Sequence, residues 1–334
     1  MSALGTGPRD GAAARPGATA QPATPPLRSD DTVALDRGGL RRPAGGDGLD
    51  DSARRWALTL VFLGDLTRSL GRKFWFALAF LPSLGFIAWI LLRTRVEQLA
   101  LPPAQLSDFV LEQIGRSLGV GALWAAMSAA LIGAAGLPRD LQAGALLLYF
   151  TRPLERIDYL LSRWLALWIW LAAGVALPSL LVLFGAALEL GWQLPGRDGF
   201  GTAWFWLGGV AALATTAAVA GAALAAVALG AGALLRNATA AAVAMIGAGL
   251  GSSAAANLAV LLWERDSLAG ALDLPRGLTA AWILCSRPLS DAAPVPVATL
   301  EAAAALGLWL ALGIGGWFAA ARLLARAPLG RGRT

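Results

Sequence analysis

Six long stretches of this 334-residue chain contain no charged side chain. Each holds about 20 residues or more, which is the length a helix needs to cross the hydrocarbon of a bilayer. Only 14% of all residues are charged and 57% are apolar, and a chain of this length has no soluble core large enough to bury so much apolar surface. The pattern predicts an all-α integral membrane protein with six transmembrane helices, at residues 74–92, 118–137, 164–188, 203–235, 238–263 and 302–321.

The regions outside these spans differ in character. Residues 1–51 are rich in Gly, Pro, Ala, Asp and Arg without apolar periodicity, which is typical of a disordered N-terminal extension or of an over-extended gene start. In residues 52–73, charged side chains share one helical stripe and apolar side chains lie roughly opposite. That pattern predicts an amphipathic helix in the membrane interface, the alternative being the cytosolic start of the first span. The six-helix domain would then cover residues 74–326, followed by a cytosolic tail at 327–334.

The basic residues predict the orientation of the chain. With the N-terminus in the cytosol, the inner flanks of the spans hold more Arg and Lys than the outer loops, as the positive-inside rule requires. We therefore expect a multi-pass protein of the bacterial inner (plasma) membrane with both termini in the cytosol. The basic residues are spread between the spans, which favours the lipid bilayer over nucleic acid as the surface they meet.

Several classes of chemistry are excluded by residues that the sequence lacks. It has no histidine and a single cysteine, Cys285, so zinc sites built on His or Cys clusters, Ser-His-Asp triads and Cys-His pairs are ruled out. No span contains a pair of Asp residues, and no ionisable residue lies inside one apart from Glu301 at the outer edge of the last. An aspartyl intramembrane protease and a proton-coupled transporter are therefore disfavoured, and we expect no cofactor or metal.

The segment at residues 139–163, here called the elbow, carries seven charges between two uncharged spans. Placing them near the bilayer centre would cost about 18–25 kcal/mol, so the elbow is expected in the cytosol. Pro138 is predicted to begin a helix with Asp140 in its first turn. Thr151-Arg152-Pro153 is predicted to break it, and Pro153 to begin a second helix. An apolar run just before that corner indicates a protein partner or the membrane surface.

The residues of the elbow resemble the pattern of ABC-2 type transporter permeases. The resemblance is carried by an acidic residue, a Gly and two Leu, an Arg-Pro corner and a Tyr-Leu pair before the third span: Asp140, Gly144, Leu146, Leu147, Arg152, Pro153, Arg156, Tyr159, Leu160 and Arg163. The sequence departs from the family at Ala145, at Leu154-Glu155 and at Ser162-Arg163. The similarity extends to the architecture from about Ser52 to Arg326, including a short segment, Leu278 to Ser286, that would re-enter the outer leaflet.

The resemblance implies that the elbow seats in a cleft of a separate ABC ATPase subunit. Arg152 and Arg156 would form salt bridges with that subunit, and Pro153 would fix the corner; the alternative is that these Arg only anchor the topology. The implied coupling residues are Asp140, Gly144, Leu146, Tyr149, Arg152, Pro153, Arg156, Tyr159 and Arg163. The chain has no phosphate loop of its own, so the resemblance implies a permease that hydrolyses no ATP, pairs with a second copy or a paralogue, and exports its substrate.

Polar residues at membrane depth are candidates for the pathway along the second and fifth spans: Ser128, Ser252, Ser253 and Asn257. The alternative is that they form hydrogen bonds between helices. The many Gly residues of the fourth and fifth spans have two readings as well, a tightly packed bundle or a face that slides during transport. For the whole chain, the alternative to a permease is a structural or assembly membrane protein without transport activity.

Overall fold

A computed structural model of the protein describes residues 51–97, 103–145, 155–190, 192, 199–263, 273–289 and 296–326. Regular structure within these ranges is helical throughout, with no strand. Six helical segments are long and apolar enough to cross a membrane, which confirms the predicted number. They are Leu70–Arg93, Ser107–Gln142, Arg156–Glu189, Gly199–Leu235, Ala238–Ala259 and Gly307–Arg326.

Ten α-helices build the described part of the chain. They are α1 (Asp51–Arg68), α2 (Leu70–Leu78), α3 (Leu81–Glu97), α4 (Pro103–Ser128), α5 (Ala135–Gln142), α6 (Arg156–Glu189), α7 (Gly199–Leu235), α8 (Ala238–Trp263), α9 (Leu274–Ser286) and α10 (Pro296–Arg326). A π turn (Ala129–Ala134) joins α4 to α5, and a 3-10 turn (Arg287–Leu289) follows α9. The second and third spans extend past the uncharged stretches from which they were predicted, because charged turns at their ends stay helical, and the fourth begins four uncharged residues earlier than predicted.

Two breaks interrupt the N-terminal helices. The predicted amphipathic helix ends at Arg68, and the extended backbone of Ser69 separates it from α2. A second break follows Leu78, because Pro82 stands in the first turn of α3 and has no N–H to bond to the carbonyl four residues earlier. The location of α1 at the membrane interface stays a prediction, and residues 1–50 of the expected N-terminal extension lie outside the described residues.

The helix around Pro138 differs from the prediction. Pro138 lies inside α5 and Asp140 in its last turn, so the expectation that Pro138 begins a helix is wrong. A proline ring crowds the carbonyl four residues earlier, here that of Ala134. The π turn that ends at Ala134 widens the helix at this carbonyl and relieves the misfit. The second span and α5 therefore continue as one helical unit that carries Asp140 to the end of the bundle.

Helix α7 lies at the centre of the bundle, packed along α6 and α10. With 37 residues it is about 55 Å long, so it is longer than the hydrocarbon is thick, as its sequence indicates. Helix α4 packs on the other side of α6 and also against α9. Trp282 of α9 is almost fully buried there, and its indole N–H donates a hydrogen bond to the carbonyl of Leu111 at 2.9 Å.

Candidate functional site

The first turns of α6 meet α5 at a shared carboxylate. Tyr159 and Arg163 are four residues apart and therefore on one face of α6. The Tyr159 hydroxyl donates a hydrogen bond to Oδ2 of Asp140 at 2.5 Å, and the Arg163 guanidinium forms an ion pair with the same oxygen. Gly136 makes this possible, because a Cβ there would lie 2.3 Å from a guanidinium nitrogen of Arg163. The two ends of the elbow are thus tied to each other.

Helix α1 joins the same cluster through Phe62. The Phe62 ring stands edge-on to the ring of Tyr159, with 5.6 Å between centroids. The Arg163 guanidinium lies over the same ring, 5.2 Å from its centroid, which adds a cation–π attraction. Tyr159 is fully buried, so its hydroxyl depends on Asp140 in place of water.

A second ion pair, between Arg55 of α1 and Asp158 of α6, lies next to this cluster. Nε of Arg55 lies 2.5 Å from Oδ1 of Asp158, whose side chain is only 5% exposed. The hydroxyls of Thr59 and Ser162, one from each helix, both donate to the carbonyl of Arg55, at 2.8 and 3.1 Å. Because a carboxylate this buried is costly without a partner, the pair fixes α1 against the start of α6.

Helix α10 ends on the first residue of α6. The Arg156 guanidinium donates hydrogen bonds to the carbonyls of Leu324 and Ala325, at 2.9 and 2.6 Å. The last carbonyls of a helix have no partner within the helix, and a cation there also interacts favourably with the helix dipole. The structure therefore assigns the Arg156 side chain a contact within the chain; its predicted salt bridge to another subunit stays a prediction.

These contacts form one cluster, here called the α6 hub, which consists of Arg55, Phe62, Asp140, Arg156, Asp158, Tyr159 and Arg163. The hub connects α1, α5, α6 and α10 at the end of the bundle where the elbow lies, here called the elbow end. Gly144 follows α5 in a left-handed conformation with φ of 66°, which ends the helix as glycine commonly does. The other predicted coupling residues, Leu146, Tyr149, Arg152 and Pro153, lie outside the described residues.

Sequence reasoning missed the part that α1 contributes to the hub. Arg55 and Phe62 lie between the charged and apolar stripes that were read from the helical wheel, so neither stripe included them. The face of α1 that is buried contains Thr59 and Phe62, while Trp56 and Leu60 are about half exposed. The available signal in the sequence was an Asp, Asp158, at the start of the third span, where a buried carboxylate would need a basic partner such as Arg55.

The four predicted pathway residues fall into two separate places. Ser128 is fully buried at the end of α4, where its hydroxyl accepts a hydrogen bond from the Trp75 indole N–H at 2.7 Å. The Trp124 indole N–H in turn donates to the carbonyl of Trp75 at 2.9 Å. Ser128 therefore links α2 to α4. Such a hydrogen bond between helices is the alternative given above to a role in the pathway.

Two of the three polar residues of α8 contact the start of α9. The Ser253 hydroxyl donates to Oδ1 of Asp273 at 2.6 Å, and the Asn257 side-chain carbonyl accepts a hydrogen bond from Arg276 at 3.2 Å. Ser252 donates to the carbonyl of Gly249 within its own helix at 2.8 Å. The contacts of Ser253 and Asn257 link α8 to the start of α9. A role for the four residues in a pathway stays a prediction.

The described residues contain no group of three His, Cys, Asp or Glu side chains that could hold a metal ion. Comparison with family models finds no match to this sequence. A search of curated proteins finds no match either. The spans, the α6 hub and the residues of the elbow are therefore the features of this chain that bear on its function.

Proposed function

We propose that the chain is the permease subunit of an ABC transporter of the ABC-2 type. In this proposal the bundle moves its substrate outward across the bacterial plasma membrane, with both termini in the cytosol. ATP is hydrolysed on a separate ATPase subunit, and a second permease copy or a paralogue completes the pathway. Six apolar helices long enough to cross a membrane and the sequence pattern of the elbow support this reading.

The observation that carries the proposal is the shared carboxylate of Asp140. Three residues of the elbow pattern, Asp140, Tyr159 and Arg163, meet there although 23 positions separate the outermost two. A loop that only connected two spans would need no such link between its ends. A loop that receives a push needs both ends held, because otherwise the loop would flex without moving the helices.

The α6 hub supplies a route for that push. Closure of the ATPase dimer would displace the corner at Arg152-Pro153, and the tied ends would pass the displacement to α5 and α6. Arg55 and Arg156 bind α1 and the end of α10 to α6, so these helices would follow. A movement at one loop would thereby tilt spans on both sides of α6 and open the pathway to the other side of the membrane.

Co-purification with the ATPase tests the coupling assignment. The partner would be a phosphate-loop protein encoded beside this chain, co-expressed with an affinity-tagged permease. Arg152→Ala and Pro153→Ala should each reduce the ATPase recovered by at least about tenfold. Arg116→Ala is the matched control, because among the described residues Arg116 forms its ion pair with Glu112, on an exposed surface of α4. If ATPase recovery survives both elbow changes, the coupling assignment fails.

Reconstituted vesicles separate a permease from an assembly protein. The complex would be screened for stimulation of ATP hydrolysis by a panel of lipids and drugs. With a stimulating compound in hand, Asp140→Asn should leave the ATPase bound and reduce the stimulation, because the push would reach a loosened hub. A complex that binds its ATPase but shows neither stimulation nor ATP-dependent transport with any compound would favour the structural alternative.

A further inference from the structure

A groove of about 440 Å³ lies between α6, α7 and α10. Its walls include Leu161 and Trp164 of α6, Ala222 of α7, and Leu310, Ile314 and Phe318 of α10. Its lining side chains are apolar. Two indole N–H groups, those of Trp164 and Trp317, belong to the lining, and that of Trp164 already donates to the carbonyl of Ala222 at 3.1 Å. Water in such a groove would find almost no hydrogen-bonding partner.

The groove is nearly as long as one leaflet of the bilayer is thick. From Leu310 to Phe318 it follows α10 for about 12 Å, and half of the hydrocarbon core is about 15 Å thick. Its walls belong to three candidate membrane spans. It lies toward the elbow end, because its α6 residues belong to the first turns of that helix. An extended hydrocarbon chain matches both the chemistry and the length of this surface.

Basic side chains stand where the head group of such a chain would lie. Ile314, Phe318 and Arg322 follow one another at intervals of four residues, so they form one row along α10. All three are exposed, as is Arg326 one turn further on. Within the described ranges neither Arg322 nor Arg326 has an acidic partner. A guanidinium binds phosphate through paired hydrogen bonds, and basic residues next to a span attract anionic lipids.

We propose that this groove binds one acyl chain of an anionic phospholipid, with the lipid phosphate held by Arg322. The lipid comes from the leaflet at the elbow end, whichever side of the membrane that is. Its acyl chain fills the groove between α6 and α10. The same two helices are connected by the hydrogen bonds of Arg156, so the lipid adds an apolar contact to that polar one. The inference does not depend on the proposed transport function.

Native mass spectrometry of the purified, delipidated full chain provides the test, with phosphatidylglycerol and phosphatidylcholine titrated separately. The wild-type chain should retain one phosphatidylglycerol more strongly than phosphatidylcholine. Arg322→Gln should weaken retention of phosphatidylglycerol about fivefold, the loss expected for one basic residue near an anionic lipid, and leave phosphatidylcholine unchanged. Ala222→Leu should weaken retention of both lipids, because the new side chain occupies the groove.

Matched controls separate the groove from the rest of the surface. Arg68→Gln removes an exposed Arg at the end of α1, and Ala311→Leu adds the same side chain to α10 outside the groove; neither should change retention. Ile314→Trp, at the exposed rim, replaces Ala222→Leu if that variant does not elute as the wild type. Equal retention of the two lipids, or no loss with Arg322→Gln, would overturn the proposal. So would efficient disulfide cross-linking of two copies through an Ile314→Cys variant lacking Cys285, because a second chain would then fill the groove.

Discussion

Helices α7 and α8 have similar compositions, but α7 is mostly buried within the chain and α8 is mostly exposed. Both are rich in Ala and Gly, and neither has an amphipathic pattern. Over an 18-residue apolar stretch of α7, 56% of residues are buried within the chain, against 11% over the corresponding stretch of α8. A Cβ at Gly230 of α7 would lie 2.3 Å from Cα of Gly316 on α10, whereas a Cβ at Gly249 of α8 would meet nothing within 4 Å.

The difference shows that small residues have two separate uses in this bundle. In α7 they bring backbones together, which is how helices associate where lipid removes the hydrophobic drive. At Gly232 the close neighbour is the carbonyl oxygen of Ala134, 2.4 Å from the position of a Cβ, which is also the carbonyl that Pro138 leaves without an N–H. In α8 the same residues leave a smooth exposed face. The tight-bundle reading therefore holds for α7, and a face that slides during transport stays a prediction for α8.

Alanine at the two glycines should give changes of opposite sign. Gly230→Ala should lower the free energy of unfolding by about 3 kcal/mol, because the backbone of α10 must move away from the new methyl group. Gly249→Ala should be neutral or raise it by up to about 1 kcal/mol, since alanine has the higher helix propensity. Unfolding would be followed in detergent micelles by steric trapping. Equal losses in both variants would mean that α8 is packed as closely as α7.

The sequence reveals the spans but not which of them lie inside the bundle. A helix that is apolar all round can face lipid or protein, because the two environments have nearly the same polarity. That is why 238–263 and 203–235 were both predicted as spans, with no means of telling the exposed one from the central one. The π turn at Ala129–Ala134 was missed because a proline such as Pro138 can begin a helix or lie inside one, and the local sequence is compatible with both.

The carboxylate of Asp140 in the α6 hub should contribute more to stability than that of Asp273, which links α9 to the exposed helix α8. Asp140→Asn removes a charge that is one-fifth exposed and accepts from both Tyr159 and Arg163, so we expect a loss of about 2 kcal/mol in the free energy of unfolding. Asp273 is more buried, with 13% of its side chain exposed, but its ion pair with the half-exposed Arg276 is 3.5 Å long and local to the start of α9, so Asp273→Asn mainly weakens the hydrogen bond from Ser253 that links α8 to α9. Its loss should be below about 1 kcal/mol. Steric trapping of the two variants side by side checks the order; the reverse order would show that α8 is held more firmly than the hub.

The candidate site was predictable to the extent that its residues lie close in sequence. Asp140, Tyr159 and Arg163 were selected from the elbow pattern, and the structure brings their side chains together. Arg55 and Phe62 come from a helix about 100 positions earlier, and no local pattern in the sequence links them to α6. The proposed displacement of the corner at Arg152-Pro153 depends on a partner that the sequence implies only through resemblance.

The smallest expected effect concerns an interior position that packs without pairing. Gln113 of α4 is 1% exposed, and neither of its amide atoms has a hydrogen-bonding partner among the described residues. An unpaired buried amide is costly, so Gln113→Leu, of similar size, should raise the free energy of unfolding by about 1 kcal/mol. Ser117→Ala, one turn away, is the control: it loses the 3.2 Å hydrogen bond to Ser179 and should cost about 0.6 kcal/mol. A Gln113→Leu variant that is less stable than Ser117→Ala would mean that the amide has a hydrogen-bonding partner outside the described residues, and that α4 is held by polar contacts in its interior.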